Sequence, residues 1–311
     1  MNSTPSRWSD FDASLLEGSG VYAFGIVRLS TAGEVQTARY CSWIDGRRHG
    51  TMTYMERYGD IRRDPRLLLE GARSMICCAI SYYTSALRQP GALSIARYAL
   101  GKDYHDIVRR RLEAVAERIR LRYGGETRVC VDTAPLYERY WAARAGLGVI
   151  GLNNQLIIPG AGSYFFLGEI LTTAPLNSTA DISEPPACEQ CGRCVRACPT
   201  GALNPDGSCD ASRCLSYLTI ENRDEFPDGT DLHGRFYGCD CCAEACPHNA
   251  NPPLCAIDEL KPNPRLLSLT ADEVIAMTRE EYTDLFRGSA MKRAKLSGLQ
   301  RNALQIKRNL K

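Results

Sequence analysis

Short apolar runs and one long amphipathic stripe frame the first part of the chain. Gly20–Leu29 and Ser74–Ile80 are apolar runs of the length that predicts buried strands. From Asp103 to Arg122 the apolar residues Val108, Leu112, Val115 and Ile119 recur at steps of four, three and four. That period predicts an amphipathic helix, with Asp103 as N-cap and Gly124–Gly125 as its stop. Its arginines (Arg109, Arg110, Arg111 and Arg118) read as a solvated outer face. Arg128–Val131 predicts a short strand ending at Asp132, followed by a helix with Pro135 in its first turn. Gln155–Ile158 and Ser163–Thr172 predict two more strands, joined by the turn Pro159–Gly162. Strands and helices mixed without strict alternation predict an α+β layer structure. Pro185–Pro186 marks a boundary, and the segment after Pro264 reads as helical.

Composition changes this picture at one point, cysteine. The chain has 311 residues, 44% hydrophobic and 24% charged, with a formal net charge of +2, all ordinary for a globular protein. It opens on polar and acidic residues rather than an apolar signal region, and no apolar stretch approaches the roughly 18 residues of a membrane span. The expected location is therefore cytoplasmic, with no membrane partner. Fifteen cysteines are far above the usual share. Without a secretion signal, and in a chain too long for a disulfide-stapled mini-domain, they point away from disulfides. Most crowd between Cys188 and Cys255, which points to metal.

Cys188-x2-Cys191-x2-Cys194-x3-Cys198-Pro199 has the spacing of a bacterial ferredoxin cluster motif. The tight steps wrap three thiolates around one corner of a cubane, and the fourth cysteine, before proline, ligates the other cluster. A second motif follows in Cys239-x2-Cys242-x3-Cys246-Pro247. It lacks a cysteine three residues before Cys239, where Phe236 stands, and Cys214 is the remote substitute, with Cys209 as its rival. The expected sets are Cys188, Cys191, Cys194 and Cys246 for one [4Fe–4S] cluster, and Cys214, Cys239, Cys242 and Cys198 for the other. Structural zinc is the competing reading, but it favours two separated Cys-x2-Cys pairs over a run of four ending in Cys-Pro. Cys77, Cys78 and Cys130 sit in strand-like runs and read as small buried hydrophobes.

Gly146-x-Gly148-x-x-Gly151 spells a dinucleotide fingerprint, but a helical segment precedes it and a strand follows, the reverse of what that site needs. Its glycines fit a tight helix-to-strand turn or a close backbone approach to a cofactor. Asp132 has two readings. It is an N-cap for the next helix, or a general acid, which would require a pKa raised by desolvation above its reference near ~3.9.

Several blocks carry a resemblance beyond the cysteines. They are Val131-Asp132-Thr-Ala-Pro-Leu-Tyr-Glu-Arg-Tyr-Trp-Ala-Ala-Arg-Ala-Gly-Leu-Gly-Val-Ile-Gly, Arg97-Tyr98-Ala-Leu-Gly-Lys-Asp103-Tyr104-His105, Gly162-Ser-Tyr-Phe-Phe-Leu-Gly-Glu169, Arg213-Cys214-Leu-Ser-Tyr-Leu-Thr-Ile-Glu221 and Tyr237-Gly-Cys-Asp-Cys-Cys. With the cluster motifs they span approximately residues 20–305 and resemble the epoxyqueuosine reductase family, cobalamin-dependent iron–sulfur enzymes of tRNA modification. The resemblance implies a nitroreductase-like α+β domain that holds cobalamin and substrate over residues 1–180. A ferredoxin-like module over 181–260 and a basic helical tail over 261–311 would follow. It implies electron flow from an unidentified low-potential donor through the clusters to cobalt, and reductive loss of the epoxide oxygen of epoxyqueuosine at the tRNA anticodon wobble position. That change consumes two electrons and two protons, so a proton donor is required. The resemblance gives this role to Asp132, and places Arg97, Tyr98, Asp132, Gln155, Glu169, Ser216 and Asp240 along the cobalamin.

Three departures from the family stand out. The family often carries C-terminal helical repeats that help grip tRNA and this chain is expected to be a short form without them, Leu152 stands where lysine is common, and Pro247-His248 replaces a common Pro-Trp. From Leu285 to Lys311 the chain carries Arg287, Lys292, Arg293, Lys295, Arg301, Lys307, Arg308 and Lys311 with no acidic residue. Such a segment is either a solvated helical end or a phosphate-binding patch for tRNA. The residues by themselves carry no cobalamin signature: Asp231-Leu-His233 is not followed by glycine where one corrinoid motif needs it. Two other classes compete. A reductive dehalogenase would pair the same cofactors behind a twin-arginine signal, and a ferredoxin-type carrier would not need so long a region ahead of its clusters.

Overall fold

The structure, a computed structural model, describes residues 8–179 and 188–310. The Pro185–Pro186 boundary and Lys311 lie outside the described residues. The strands are β1 (Ala23–Arg28), β2 (Ser74–Ser81), β3 (Ser94–Ile95), β4 (Thr127–Cys130), β5 (Val149–Ile150), β6 (Leu156–Ile157), β7 (Phe165–Thr172) and β8 (Arg235–Tyr237). Four of them form an antiparallel sheet in the order β1-β2-β7-β4.

Strand β2 is buried at every position because both faces of the sheet are covered. Ile76, Cys78 and Ile80 pack with Val108, Leu112, Val115 and Ile119 of the helix Tyr104–Tyr123. Met75, Cys77 and Ala79 pack on the other side with Trp141, Ala142 and Ala145. Each large side chain so buried contributes about 1.5–3 kcal/mol. The long helix starts and stops as its pattern predicts, with Asp103 accepting the His105 main-chain N–H and Gly124 at φ +72° closing it. Its arginines are not merely solvated. Arg118 donates to the Leu15 and Glu17 carbonyls, both at 2.8 Å, and Arg111 to Ser19 O at 3.3 Å, which ties down the N-terminal segment.

The helix expected to open at Pro135 instead runs Glu138–Arg144. Tight turns, Thr133 N–H to Val131 O and Leu136 N–H to Ala134 O at 2.8 Å, occupy the chain ahead of it. Past that helix Gly146 adopts φ +84°, and a Cβ on Gly148 would run into the Ile157 carbonyl of β6. The glycine triplet therefore serves a turn and a backbone contact between strands.

The C-terminal segment is part of a core rather than a tail. Leu299, Ala303 and Ile306 of the helix Lys295–Asn309 pack with Phe236, Tyr237, Leu93 and Leu100. Arg301 donates to the carbonyls of Asn222 (2.9 Å), Asp224 (2.7 Å) and Leu218 (3.1 Å) and lies 4.2 Å over the Phe226 ring. Arg293 holds Glu221 through two bonds of 2.9 and 2.8 Å. Lys292 and Lys295 are exposed.

The cysteine-rich half is stitched to the sheet half. β3 pairs in parallel with β8, and the Asn249 side chain accepts from Ser163 N at 2.7 Å while donating to Ala243 O at 2.8 Å. Among the described residues no helix is long and apolar enough to cross a membrane.

Candidate active site and cluster centre

Strand β4 ends at Cys130 and delivers Asp132 in a left-handed conformation, φ +52°. Such a conformation is uncommon for a non-glycine residue and is costly unless its surroundings impose it. Here the Glu138 carboxylate accepts the Asp132 main-chain N–H at 2.6 Å. The capping reading is thereby reversed, since the helix residue grips the loop instead of being capped by it. The Asp132 side chain remains 52% exposed, and its Oδ2 lies 2.9 Å from Nε2 of His105. The other ring nitrogen of His105, Nδ1, is 2.6 Å from Asp103 Oδ1.

This geometry decides where the proton sits. Burial alone would raise Asp132, but the hydrogen bond and charge of His105 hold it below the usual carboxylate range. Burial would lower His105, yet its bonds to Asp103 and Asp132 push it up to about 9. The raised carboxyl pKa that a general acid at Asp132 requires is thus absent in the isolated chain, and of the pair it is the His105 imidazole that is held protonated. Sequence reading gave His105 and Glu138 no role. The signal was present in the carboxylate–histidine pair Asp103-Tyr-His105 at a helix start, but nothing local links it to Asp132.

The residues expected along the cobalamin fall into separate groups. Asp240 is buried, burial raises its pKa, and its Oδ2 accepts the Arg97 main-chain N–H at 2.8 Å. Tyr98 stands beside them between Tyr104 and Tyr237. Glu169 lies on β7, in register with Cys77 and Cys130 on its two neighbours. It is fully buried, neither carboxyl oxygen has a partner, and burial with the charges of Glu138 and Asp132 drives its pKa far up, so it is a neutral acid. Gln155 sits between β5 and β6, and Ser216 in the helix Leu215–Ile220. Neither is hydrogen-bonded to Arg97, Tyr98 or Asp240. Unpartnered polar atoms (Arg97 Nε, Glu169 Oε1 and Oε2) fit a bound group rich in polar side arms such as cobalamin.

The cysteines gather in two places. Cys188, Cys191, Cys194 and Cys246 line one cavity, together with Asn153 and His248. Cys242 has Cys214, Asp240 and Cys198 as neighbours, and burial, with their charges adding to it, lifts its thiol to about 12. Cys209, also pushed up to about 12 by burial and then by Cys214 and Cys198, adjoins the same group. The Cys239 thiol is hydrogen-bonded to Cys241, which lowers the latter. Cys77, Cys78 and Cys130 are core residues at 0–2% exposure. Among the described residues no three His, Cys, Asp or Glu side chains close on a single metal-ion position.

Comparison with known proteins agrees with this arrangement. A family model for epoxyqueuosine reductase QueG, DUF1730, matches residues 62–133, and one for a 4Fe-4S double cluster binding domain matches residues 187–249. The epoxyqueuosine reductase of Leadbetterella byssophila is 35% identical over 306 residues, covering 96% of this chain and 99% of its own. That of Escherichia coli K12 is 36% identical over 81% of this chain and 68% of its own. A crystal structure of epoxyqueuosine reductase with an epoxyqueuosine-modified tRNA-Tyr stem loop superposes with a TM-score of 0.85 at 29% identity, covering 94% of this chain and 78% of that one. The Bacillus subtilis enzyme, captured with an aspartate's catalytic loop swung out of its active site, gives 0.83 at 28% identity, covering 94% and 80%. With two cysteine groups in the double-cluster domain and a relative 35% identical along 99% of its own length, the chain belongs to the epoxyqueuosine reductase family and binds two [4Fe–4S] clusters.

Proposed function

We propose that this chain reduces epoxyqueuosine to queuosine in the anticodon of tRNA, with the His105–Asp132 pair as its proton source. The observation that carries the reading is the 2.9 Å contact between His105 Nε2 and the half-exposed Asp132 carboxylate, beside a double-cluster domain. Cobalamin, when bound in the nitroreductase-like half, would supply the strongly reducing chemistry that opens the epoxide. Arg97, Tyr98, Gln155, Glu169, Ser216 and Asp240 would hold it. The chain's own groups handle protons. His105 passes its proton to Asp132, and Asp132 delivers it to the epoxide oxygen as the C–O bond breaks. With two electrons and a second proton that oxygen leaves as water, and the alkene remains. Displacement of water from Asp132 by the substrate raises its affinity for the proton it must carry.

Crossed ligation supplies the wires: Cys188, Cys191, Cys194 and Cys246 around one cubane, and Cys198, Cys214, Cys239 and Cys242 around the other. The donor is a low-potential electron carrier, and the reaction belongs in the cytoplasm with tRNA. The test is anaerobic incubation of the cobalamin- and iron-loaded chain with reductant and epoxyqueuosine-containing tRNA, followed by nucleoside mass spectrometry. Conversion to queuosine is expected, while an unchanged epoxynucleoside with both cofactors bound would exclude the activity.

A further inference from the structure

Two polar atoms in the cavity lined by Cys188, Cys191, Cys194 and Cys246 have no protein partner. Asn153 is only 4% exposed, and its Oδ1 accepts the Gln155 main-chain N–H at 3.2 Å. That bond fixes which way the amide faces and leaves Nδ2 as its buried, unbonded end. His248 follows Cys246 by two residues, and its Nε2 is likewise buried without a bond. Both side chains line the cavity of Cys188, Cys191, Cys194 and Cys246.

A buried N–H with no acceptor is costly, so such donors imply an acceptor that the protein itself does not provide. Thiolates and cluster sulfides are acceptors only, and a wall of them selects the His248 tautomer with hydrogen on Nε2. We propose that Asn153 Nδ2 and His248 Nε2 donate N–H···S hydrogen bonds to the [4Fe–4S] cluster held by Cys188, Cys191, Cys194 and Cys246, and thereby raise its reduction potential. The proposal rests on the ligand set given above. Reduction adds negative charge to the cubane, so donors aimed at its sulfurs favour the reduced form. Asn153 comes from the connection between β5 and β6, while His248 comes from the cysteine-rich half. The potential of this cluster therefore depends on contact between the two halves of the chain.

Redox titration of the anaerobic holoenzyme, followed by electron paramagnetic resonance, reads this directly. His248→Phe and Asn153→Ala each remove a donor. Each should shift one cluster downward by about tenfold in its reduced-to-oxidised ratio, about 59 mV for one electron. The second cluster should stay where it is, and iron at about eight per chain. His248→Trp restores a ring N–H and should recover most of the shift. Wild-type holoenzyme labelled with ¹⁵N-histidine should show a nitrogen coupling on the reduced cluster, a reading that needs no variant to assemble. Unchanged potentials in both variants at full iron, or no histidine coupling in the wild type, would overturn the proposal. A wild-type chain without iron would instead remove the ligand set, and the proposal with it.

Discussion

Glu138 Oε1 accepts the main-chain N–H of Asp132 at 2.6 Å, so the helix after the Asp132 loop holds that loop from behind. The grip works through an acceptor oxygen, and a glutamine keeps one. Glu138→Ala should let Asp132 leave its left-handed conformation and lower turnover by up to about 10²-fold, the scale of a small misplacement. Glu138→Gln should retain most activity. Steady-state kinetics on both variants distinguish positioning from simple loss of fold, which circular dichroism reports.

The same residue has a pH signature. Burial, with the Asp132 charge adding to it, raises the Glu138 pKa above 4.5, its ordinary value. The unfolded chain therefore ionises first, and stability from this group falls as pH rises above that value. In Glu138→Gln that downward slope of melting temperature with pH should flatten. An identical slope in both proteins would show that Glu138 is not the group responsible.

Proton delivery should have an alkaline limit. His105 is raised from 6.5 to about 9 by its two carboxylates, so in the folded chain it keeps its proton until pH rises through about 9. Turnover should fall across that upper range, and His105→Leu should abolish the limb along with most activity. Asp132→Asn should cost about 10²-fold or more at every pH with cofactors retained. Near-normal turnover of the Asn variant at full cofactor content would exclude the assigned role.

Crossed ligation makes an asymmetric prediction for iron. Cys246→Ala should damage the cluster that Cys188, Cys191 and Cys194 share, although it lies far along the chain in the second motif. Cys241→Ala should keep about eight irons per chain, four per cubane. Iron analysis with spectroscopy checks both. A Cys241 variant short of four irons beside an intact Cys214 variant would reassign the ligands.

What could be read from the chain beforehand follows the range of each signal. The helix Tyr104–Tyr123 was legible because its stripe, its Asp103 cap and its glycine stop are all local. The double-cluster domain was legible because a cubane demands closely spaced cysteines. The His105–Asp132 pair joins residues 27 apart on different elements, and no periodicity records it. The positive φ of Asp132 was equally hidden, since of all residues only glycine adopts it without cost and no glycine stands there. The basic C-terminal segment misled for another reason: charge in sequence does not tell whether a guanidinium faces solvent or backbone carbonyls.

That distinction separates two kinds of cation near the C-terminus. Arg301→Ala should destabilise the chain by about 2–3 kcal/mol, because it leaves the carbonyls of Leu218, Asn222 and Asp224 without their donor. Lys292→Ala with Lys295→Ala should leave melting unchanged. If these exposed lysines contact phosphates, the slope of log affinity for tRNA against log salt should flatten by about 0.7–0.9 for each. An unaltered salt slope in the double lysine variant would restrict their role to solvation.

The two-residue strand Ser94–Ile95, paired in parallel with Arg235–Tyr237, means that a change in composition along the chain is not a mechanical joint. A gene cut ahead of the cysteine motifs would yield a ferredoxin fragment with β8 stripped of its strand partner and Phe236 and Tyr237 stripped of Leu93 and Leu100. Bare edges and uncovered aromatic side chains invite self-association. The electron-carrying part of this protein cannot be borrowed as a free-standing module, and engineers seeking to transplant it would have to carry residues 93–100 along.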